Sequence, residues 1–334
     1  MMVGLQRKLA MAMVSALMLA VPCSILAPAA EAASKPITAR IVAANAGGNM
    51  HVISGALGQL IEESIPGSRI TVEPGESGGN PIICGSGESD IVTTMYSNAS
   101  AAFKGTPPYP KVANVGGLAN LGINQWIAFV SSNAKYKTLT AMLKDKFPMR
   151  LVLGAPGSTS EILIRQILEQ YGVTYDMIRS WGGSVTHVSH NESVSLMKDN
   201  HADVYATIPS LRFPQLVDLT TSETVYFLPM DKEIIDAVAR KHGYLTGSLP
   251  GGTYKNQGDA YYSLMETQLF LGNTKTLSEE DAYRIVKLLN ENIQRLATAH
   301  SDIANFKPEN APKNTGFPLH PGADRYYREA GQLK

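Results

Sequence analysis

Three turns rich in Gly, Ser, Thr and Asn stand where a predicted strand leads into a predicted helix. They are residues 45–49 after a strand at 39–44, residues 75–80 after a strand at 69–73, and residues 154–160 after a strand at 149–153. Such turns leave backbone N–H groups unpaired at a helix N-terminus, where the positive end of the helix dipole favours an anion. The pattern predicts a site for a carboxylate or a similar small ligand that is held by hydroxyls and backbone, without a cofactor.

Ligand-binding residues are therefore predicted at these turns and at the ends of two further strands. The set consists of Asn45, Gly47, Gly48, Asn49, Met50, His51, Ser77, Asn80, Tyr96, Ser97, Ser158, Thr159, Ser160 and Thr207. The turn at 154–160 is the best single candidate, because its hydroxyls can cap the helix that begins near Glu161 while an anion shares the same N–H groups. Helix capping alone is the alternative interpretation of this turn.

The segment 75–79 also fits Gly-x-Ser-x-Gly, the nucleophile elbow of α/β-hydrolases, and it follows a strand as that motif requires. Ser77 would be the nucleophile, with His187 and His190 as possible partners. Against this, the helix after an elbow should be long, and the Pro and Gly residues at 81–87 allow barely one turn. An exported serine hydrolase is kept as the alternative function, and no catalytic residue is assigned.

Other chemistries have weaker support in the sequence. His187, His190 and Glu192 could be drawn as metal ligands, but their spacing defines no known zinc site, so a solvent-facing loop and no metal are predicted. No Gly-x-Gly-x-x-Gly follows the first strand and no P-loop is present, which argues against a nucleotide. With 29 basic and 29 acidic residues, the chain has no charge excess that would favour nucleic acid.

The N-terminus has the order of a secretory signal. Arg7 and Lys8 precede an uncharged run at 9–21, and small residues follow at 27–33. The run is shorter than the roughly 20 residues that a membrane-spanning helix needs. Residues 1–33 are predicted to be cleaved on export to the periplasm, which leaves Cys84 as the only cysteine and excludes an internal disulfide.

Strands and helices alternate in two series, which predicts parallel sheets because a parallel pair needs a crossover connection. Besides the strands above, the pattern predicts strands at 90–95, 125–131, 202–207 and 224–228, and a returning strand at 265–271. Helices are predicted at 139–144, 161–171, 193–200, 232–241 and 279–299, and a loop at 247–258. Two α/β lobes joined by two crossing strands form a hinged clamp, with the ligand in the gap between them.

Four motifs resemble the TAXI family of solute receptors, the binding proteins of one branch of TRAP transporters. Residues 46–51 with Gly55 resemble the glycine-rich first loop of the family, and Ser77 to Asp90 resemble its Gly-Gly-Ser-Val-Glu-Asn…Ser-Gly-Glu-Ala-Asp stretch. Residues 154–161 resemble its Gly-Ala-Pro-Gly-Ser-Gly-Thr-Glu turn, and 319–331 nearly repeat its Leu-His-Pro-Gly-Ala tail. The resemblance extends from about residue 35 to the end of the chain.

The resemblance implies the fold of a type II periplasmic binding protein, with lobe I at 34–130 and 256–334 and lobe II at 131–255. It implies a monomeric periplasmic receptor that binds a small anionic solute, such as an amino acid or dicarboxylate, and delivers it to a fused TRAP membrane subunit. Where the family has Thr-Tyr-Tyr, this chain has Asn49, Met50 and His51, which predicts a pocket of altered shape. A ligand sensor for a signalling partner would use the same clamp and is a second alternative.

Overall fold

Two separate β-sheets, each flanked by helices, organise the computed structural model, which describes residues 35–44 and 49–333. The predicted signal segment and the ligand residues Asn45, Gly47 and Gly48 lie outside the described residues. The strands are β1 (Thr38–Val42), β2 (Arg69–Glu73), β3 (Ile91–Met95), β4 (Val115–Trp126), β5 (Ala128–Ser131), β6 (Arg150–Leu153), β7 (Ser184–His187), β8 (Val204–Thr207), β9 (Tyr226–Phe227), β10 (Leu245–Leu249) and β11 (Tyr261–Asn273). Both sheets belong to one unit, Pro36–Lys334.

The first sheet, with its helices, is lobe I. Its strands run in the order β10-β11-β3-β1-β2, and β4 pairs with β11 as well. The pairs of β1 with β2 and β3 are parallel, whereas every pair made by β11 is antiparallel. The lobe I sheet is therefore mixed rather than mostly parallel, because the long strand β11 returns to it in the opposite direction.

The second sheet, with its helices, is lobe II. Its strand order is β7-β6-β8-β5-β9, with β6 parallel to β7 and β8, and with β5 antiparallel to β8 and β9. The two-lobed α/β fold predicted from the sequence is confirmed. The predicted boundary at 255/256 stays a prediction, and β10, which precedes it, pairs with β11 of the lobe I sheet.

Helices cover the faces of both sheets. They are α1 (Asn49–Ser64), α2 (Asn80–Ser86), α3 (Tyr96–Lys104), α4 (Leu139–Lys144), α5 (Thr159–Gln170), α6 (Tyr175–Ser180), α7 (His190–Lys198), α8 (Pro214–Ser222), α9 (Lys232–His242), α10 (Glu279–Glu291), α11 (Ile293–Ala299) and α12 (Pro321–Glu329), with 3-10 turns at Ser301–Asn305 and Pro308–Asn310. Across the described residues, none of these helices has the length and apolar character that spanning a bilayer would require. Lobe II has one core, and lobe I has a core on each face of its sheet.

Three element predictions were wrong in detail. The helix predicted at 279–299 is broken at Asn292, whose φ of −120° is not helical, into α10 and α11. The strand predicted at 125–131 is the end of β4 followed by β5, and the loop predicted at 247–258 begins inside β10. For the two strands, pairing decided the limits, because β5 pairs with β8 and β9, and β10 pairs with β11.

Candidate functional site

The carboxyl edges of the two sheets meet at the crossing strands. Met95, the last residue of β3, pairs with Gln268 of β11, and three residues earlier Met265 pairs with Trp126 of β4. Two residues beyond Trp126, Ala128 of β5 pairs with Thr207, the last residue of β8. Because ligands of α/β sheets bind beyond the carboxyl ends of the strands, the residues after β1, β2 and β3 and those after β6, β7 and β8 border the candidate site.

On lobe I, the predicted residues at the start of α1 are mostly engaged within the protein. The Asn49 amide donates to Asp302 Oδ2 over 3.1 Å, and its oxygen accepts from the Met50 N–H over 2.7 Å. Met50 is buried in the lobe I core. His51 is half-buried, and its Nδ1 has no hydrogen-bond partner among the described residues.

Asn80 and Ser77 occupy the turn after β2. Asn80 is fully buried, and its amide donates to the carbonyls of Ala43 and Thr93 over 3.0 and 2.7 Å, which ties the ends of β1 and β3 together. The Ser77 carbonyl accepts from the Thr94 hydroxyl over 2.6 Å, while its half-buried side chain makes no hydrogen bond to an imidazole in the described part of the chain. Asn80 thus positions the strand ends, and Ser77 stays a predicted ligand contact.

Tyr96 and Ser97 begin α3 directly after β3, and this junction contains a buried carboxyl group that the sequence analysis did not single out. The Ser97 N–H donates to Glu266 Oε2 over 3.0 Å, and Glu266 is wholly buried on β11. Burial raises the pKa of Glu266 to about 7, although the Ser97 hydrogen bond opposes this shift. No local sequence pattern could mark Glu266, because only the pairing of β11 brings it to this edge.

On lobe II, the turn after β6 caps α5. Ser158 is the N-cap residue, and its Oγ accepts from the Glu161 N–H over 3.3 Å. The Glu161 carboxylate reaches back to accept from the N–H of Gly157, the residue before the N-cap, over 3.0 Å. The Ser158 and Ser160 hydroxyls lie 3.2 Å apart. The N–H groups of Thr159 and Ser160, in the first turn, have no partner inside the helix and are available to an anion.

The two histidines predicted to face solvent instead line a pocket with this turn. His187 Nδ1 lies 2.8 Å from the Gly154 carbonyl oxygen, and His190 Nδ1 lies 2.7 Å from the Tyr205 hydroxyl. The prediction of a solvent-facing loop pair was wrong, because the ends of β6 and β7 are neighbours in the sheet. The pocket has a volume of about 480 Å³ and is lined by Gly154, Ala155, Pro156, Ser158, Ser160, His187, Val188, Ser189 and His190.

The pocket is bordered by the N-termini of two helices. Ser189 caps α7 as Ser158 caps α5, and its Oγ accepts from the Glu192 N–H over 3.2 Å. Burial lowers the pKa of His190, so its ring is neutral near pH 7. Thr207, also predicted as a ligand contact, lies fully buried at the end of β8. The pocket thus offers hydroxyls and backbone N–H groups, which suit a carboxylate, together with two imidazoles.

A second hollow, of about 570 Å³, lies along β4. Its wall includes Asn124 and Trp126 from β4, Ser210 from the loop after β8, and Asp302, which also binds Asn49. Both lobes therefore contribute to it, next to the start of α1. The sequence analysis missed this groove, because the polar residues of 302–314 fall in irregular structure.

A comparison with protein families identifies the chain. A model described as the NMT1-like family matches residues 41–331. The chain belongs to the NMT1-like family. This match covers both lobes of the NMT1-like chain, whereas the narrower TAXI assignment stays a prediction.

Solved structures with a similar arrangement include several binding proteins. The aliphatic sulphonate binding protein SsuA of Escherichia coli has a TM-score of 0.46 and 15% identity, covering 82% of this chain and 80% of that one. The XAC2383 protein of Xanthomonas citri, bound to chloride ion, has a TM-score of 0.48 and 13% identity, covering 88% and 97%. A probable amino-acid transporter binding protein of Bacillus subtilis has a TM-score of 0.45 and 13% identity, covering 81% and 98%. With TM-scores below 0.5, these likenesses say nothing about the ligand of the NMT1-like chain.

In the described part of the chain, Ser77 forms no hydrogen bond with either histidine proposed as its partner. The imidazoles proposed as partners of Ser77 are held by the Gly154 carbonyl and the Tyr205 hydroxyl of lobe II. A nucleophile and its base must lie within hydrogen-bond reach of each other. Within the described ranges, no group of three or more His, Cys, Asp or Glu residues is arranged to hold a metal ion.

Proposed function

We propose that this protein is an exported solute receptor that binds a small organic acid between its lobes and delivers it to a membrane transporter of the TRAP type. The observation that carries the proposal is the lobe II pocket, where the N-termini of α5 and α7, two serine hydroxyls and two imidazoles surround one space. The hydroxyls and the backbone N–H groups can donate to a carboxylate, and helix N-termini stabilise negative charge. The crossing strands bring lobe I to the same edge.

Ligand binding and lobe closure are coupled in this proposal. A ligand that touches both lobes has a higher affinity for the closed form, and it shifts the equilibrium by that difference in affinity. The transporter then recognises the closed receptor. The donors of Ser77, Ser97 and His51 on lobe I would complete the contacts that Ser160 begins on lobe II.

The first test is a calorimetric or thermal-shift screen of amino acids, dicarboxylates and oxo acids, because a tight ligand stabilises the folded protein by mass action. With the best ligand, we expect Ser158→Ala/Ser160→Ala to weaken binding by about 1–3 kcal/mol, since each lost hydroxyl leaves a desolvated carboxylate oxygen unpaired. Binding would be measured by isothermal titration calorimetry.

A matched control separates ligand contact from helix capping. Thr138 caps α4 by accepting from the Ala141 N–H over 3.1 Å, and it does not line the pocket. Thr138→Ala should lower stability by a similar amount to the loss of the Ser158 cap, about 1 kcal/mol, and leave affinity unchanged. Unchanged affinity in the double variant would remove the 158–160 turn from the site.

The transporter class needs its own experiment. Uptake of the ligand into vesicles that contain a TRAP membrane subunit and this receptor should depend on a sodium gradient and proceed without ATP. Uptake that requires ATP hydrolysis by a different membrane partner would contradict the TRAP assignment and leave the solute receptor proposal intact.

A further inference from the structure

His187 is held in one orientation and in one tautomer. A carbonyl oxygen can only accept, so the 2.8 Å contact with the Gly154 carbonyl requires the proton on Nδ1. The ring also packs edge-on against Tyr175, with the ring centroids 5.9 Å apart. The Tyr175 hydroxyl is fixed in turn by Glu161 Oε1 over 3.0 Å. The ring therefore has a fixed position, and in the tautomer with its proton on Nδ1 it presents Nε2 as a hydrogen-bond acceptor.

This acceptor belongs to a ring that lines the same pocket as the hydroxyls that would hold a carboxylate. A Cβ built on Gly154 would stand 3.2 Å from Ser160 Oγ and 3.5 Å from Ser158 Oγ, so Gly154 lies directly beneath both hydroxyls. The carbonyl of the same residue holds His187, and all of these residues line the 480 Å³ pocket. His187 has no second hydrogen bond within the described residues, which leaves Nε2 to a ligand.

We infer that His187 Nε2 is a specificity determinant that accepts a hydrogen bond from a donor on the carbon next to the ligand carboxylate. The ligand class is then a 2-amino or 2-hydroxy acid, and the corresponding 2-oxo acid is disfavoured. A 2-oxo group offers only an acceptor, so it would leave the Nε2 lone pair unpaired against a carbonyl oxygen. This inference rests on the proposed binding of an acid in the lobe II pocket.

The experiment compares matched acids that differ only at the second carbon, such as lactate with pyruvate and glutamate with 2-oxoglutarate. Dissociation constants would be measured by calorimetry for the wild-type protein and for His187→Asn. The Asn amide can occupy the position of Nδ1 and donate to the Gly154 carbonyl, but it has no atom at the position of Nε2. His201→Asn, at an exposed position of lobe II, is the control.

We expect the wild-type protein to bind the amino or hydroxy acid at least tenfold more tightly than its oxo counterpart. His187→Asn should weaken binding of the preferred acid roughly three- to tenfold, leave the oxo acid within about twofold, and so reduce the preference. His201→Asn should retain the wild-type preference for the amino or hydroxy acid. An equal affinity for both members of every pair, or a preference that His187→Asn leaves unchanged, would overturn the inference.

Two further readouts keep the test decisive. If His187→Asn does not fold, the imidazole ¹⁵N resonances of the wild-type protein serve instead. The Nε2 resonance of His187 should move when the amino or hydroxy acid binds, and an unmoved resonance would overturn the assignment. If the oxo acid binds equally well but Ser158→Ala/Ser160→Ala still weakens binding, the proposed function stands and only the role of His187 fails. If no acid binds at all, the proposed function itself fails.

Discussion

Glu266 is the residue whose environment differs most from what its type prefers. Its side chain is wholly buried between the end of β3 and the start of β10, with Oε2 bonded to the Ser97 N–H and Oε1 without a partner among the described residues. The paired Gln125 lies on the same side of the sheet, as residues opposite each other in a β-ladder do. Because no cation in the described part of the chain compensates a charge at this buried position, the protonated form of the Glu266 carboxyl group is favoured.

This carboxyl makes stability depend on pH. Its pKa is raised from an ordinary 4.5 to about 7, so between these values the folded protein keeps a proton that the unfolded chain has released. The contribution of this group to the free energy of unfolding therefore falls as the pH rises from 4.5 to 7. Glu266→Gln removes the titration, and we expect it to match the wild type near pH 4.5 and to be more stable by a few kcal/mol at pH 8.

Urea unfolding at pH 5, 6.5 and 8 measures this difference. Glu223→Gln, at an exposed position, is the control and should show no pH-dependent gain. A Glu266→Gln protein that is less stable than the wild type by the same amount at every pH would show that the carboxyl is not protonated in the fold.

His320 has a structural role at the start of the last helix. It is buried at the N-cap of α12, where Nδ1 accepts from the Gly322 N–H and Nε2 lies 3.2 Å from the Leu277 carbonyl. Since Nδ1 accepts, Nε2 carries the proton. Burial lowers the pKa of His320, so the folded protein favours the neutral ring. The contribution of His320 to stability therefore declines as the pH falls through the ordinary pKa range of histidine.

At the scale of elements, α10 and α12 pack unusually closely at one glycine. A Cβ on Gly322 would stand 2.0 Å from the Glu279 carbonyl oxygen and 2.7 Å from the Tyr283 backbone nitrogen. Neither backbone atom can move without displacing α10. In the His-Pro-Gly sequence of the tail, His320 therefore caps α12, Pro321 begins the helix, and Gly322 allows the close contact with α10.

We expect Gly322→Ala to lower the free energy of unfolding by at least about 2–3 kcal/mol, as overpacking in a tight contact does. Gly55→Ala is the matched control, because Gly55 lies inside α1 with nothing within 4 Å of the added methyl group. That change should be neutral or stabilising by up to about 1 kcal/mol. Thermal and urea unfolding measure both, and equal effects of the two variants would contradict the contact.

At the scale of the whole molecule, the end of the crossing strand β4 is bonded to lobe II. The backbone N–H of Trp126, at the end of β4, donates to the Pro209 carbonyl over 3.0 Å. Gln125 forms an isolated antiparallel β-bridge with Ser210. These contacts join β4 to the loop after β8. A change in the angle between lobes would act on these residues.

Closure on the ligand should therefore be visible in solution scattering. We expect the radius of gyration of the wild-type protein to decrease when the best acid from the screen is added to saturation, because the lobes close on it. Ser158→Ala/Ser160→Ala at the same ligand concentration should keep a larger radius. Identical scattering of the wild type with and without a ligand that calorimetry shows to be bound would contradict coupled closure.

The sequence by itself determined most of the local structure and the class of the fold. Strand β2 and helix α4 were predicted with their observed bounds, and the serine caps of α5 and α10 follow from Ser-x-x-acidic patterns. These signals are local, because β-branched runs, apolar periodicity and caps act over a few residues. The same locality explains why the predicted turns at 75–80 and 154–160 were found at the carboxyl ends of β2 and β6.

Only the tertiary structure decided which of those residues share a site. It placed Met50 in a core, used Asn80 to join β1 to β3, and brought His187 against the Gly154 carbonyl. It also buried Glu266 and bonded it to the Ser97 N–H. The physical reason is that strand order and register bring together residues far apart in the chain, and no short-range pattern encodes which strands become neighbours.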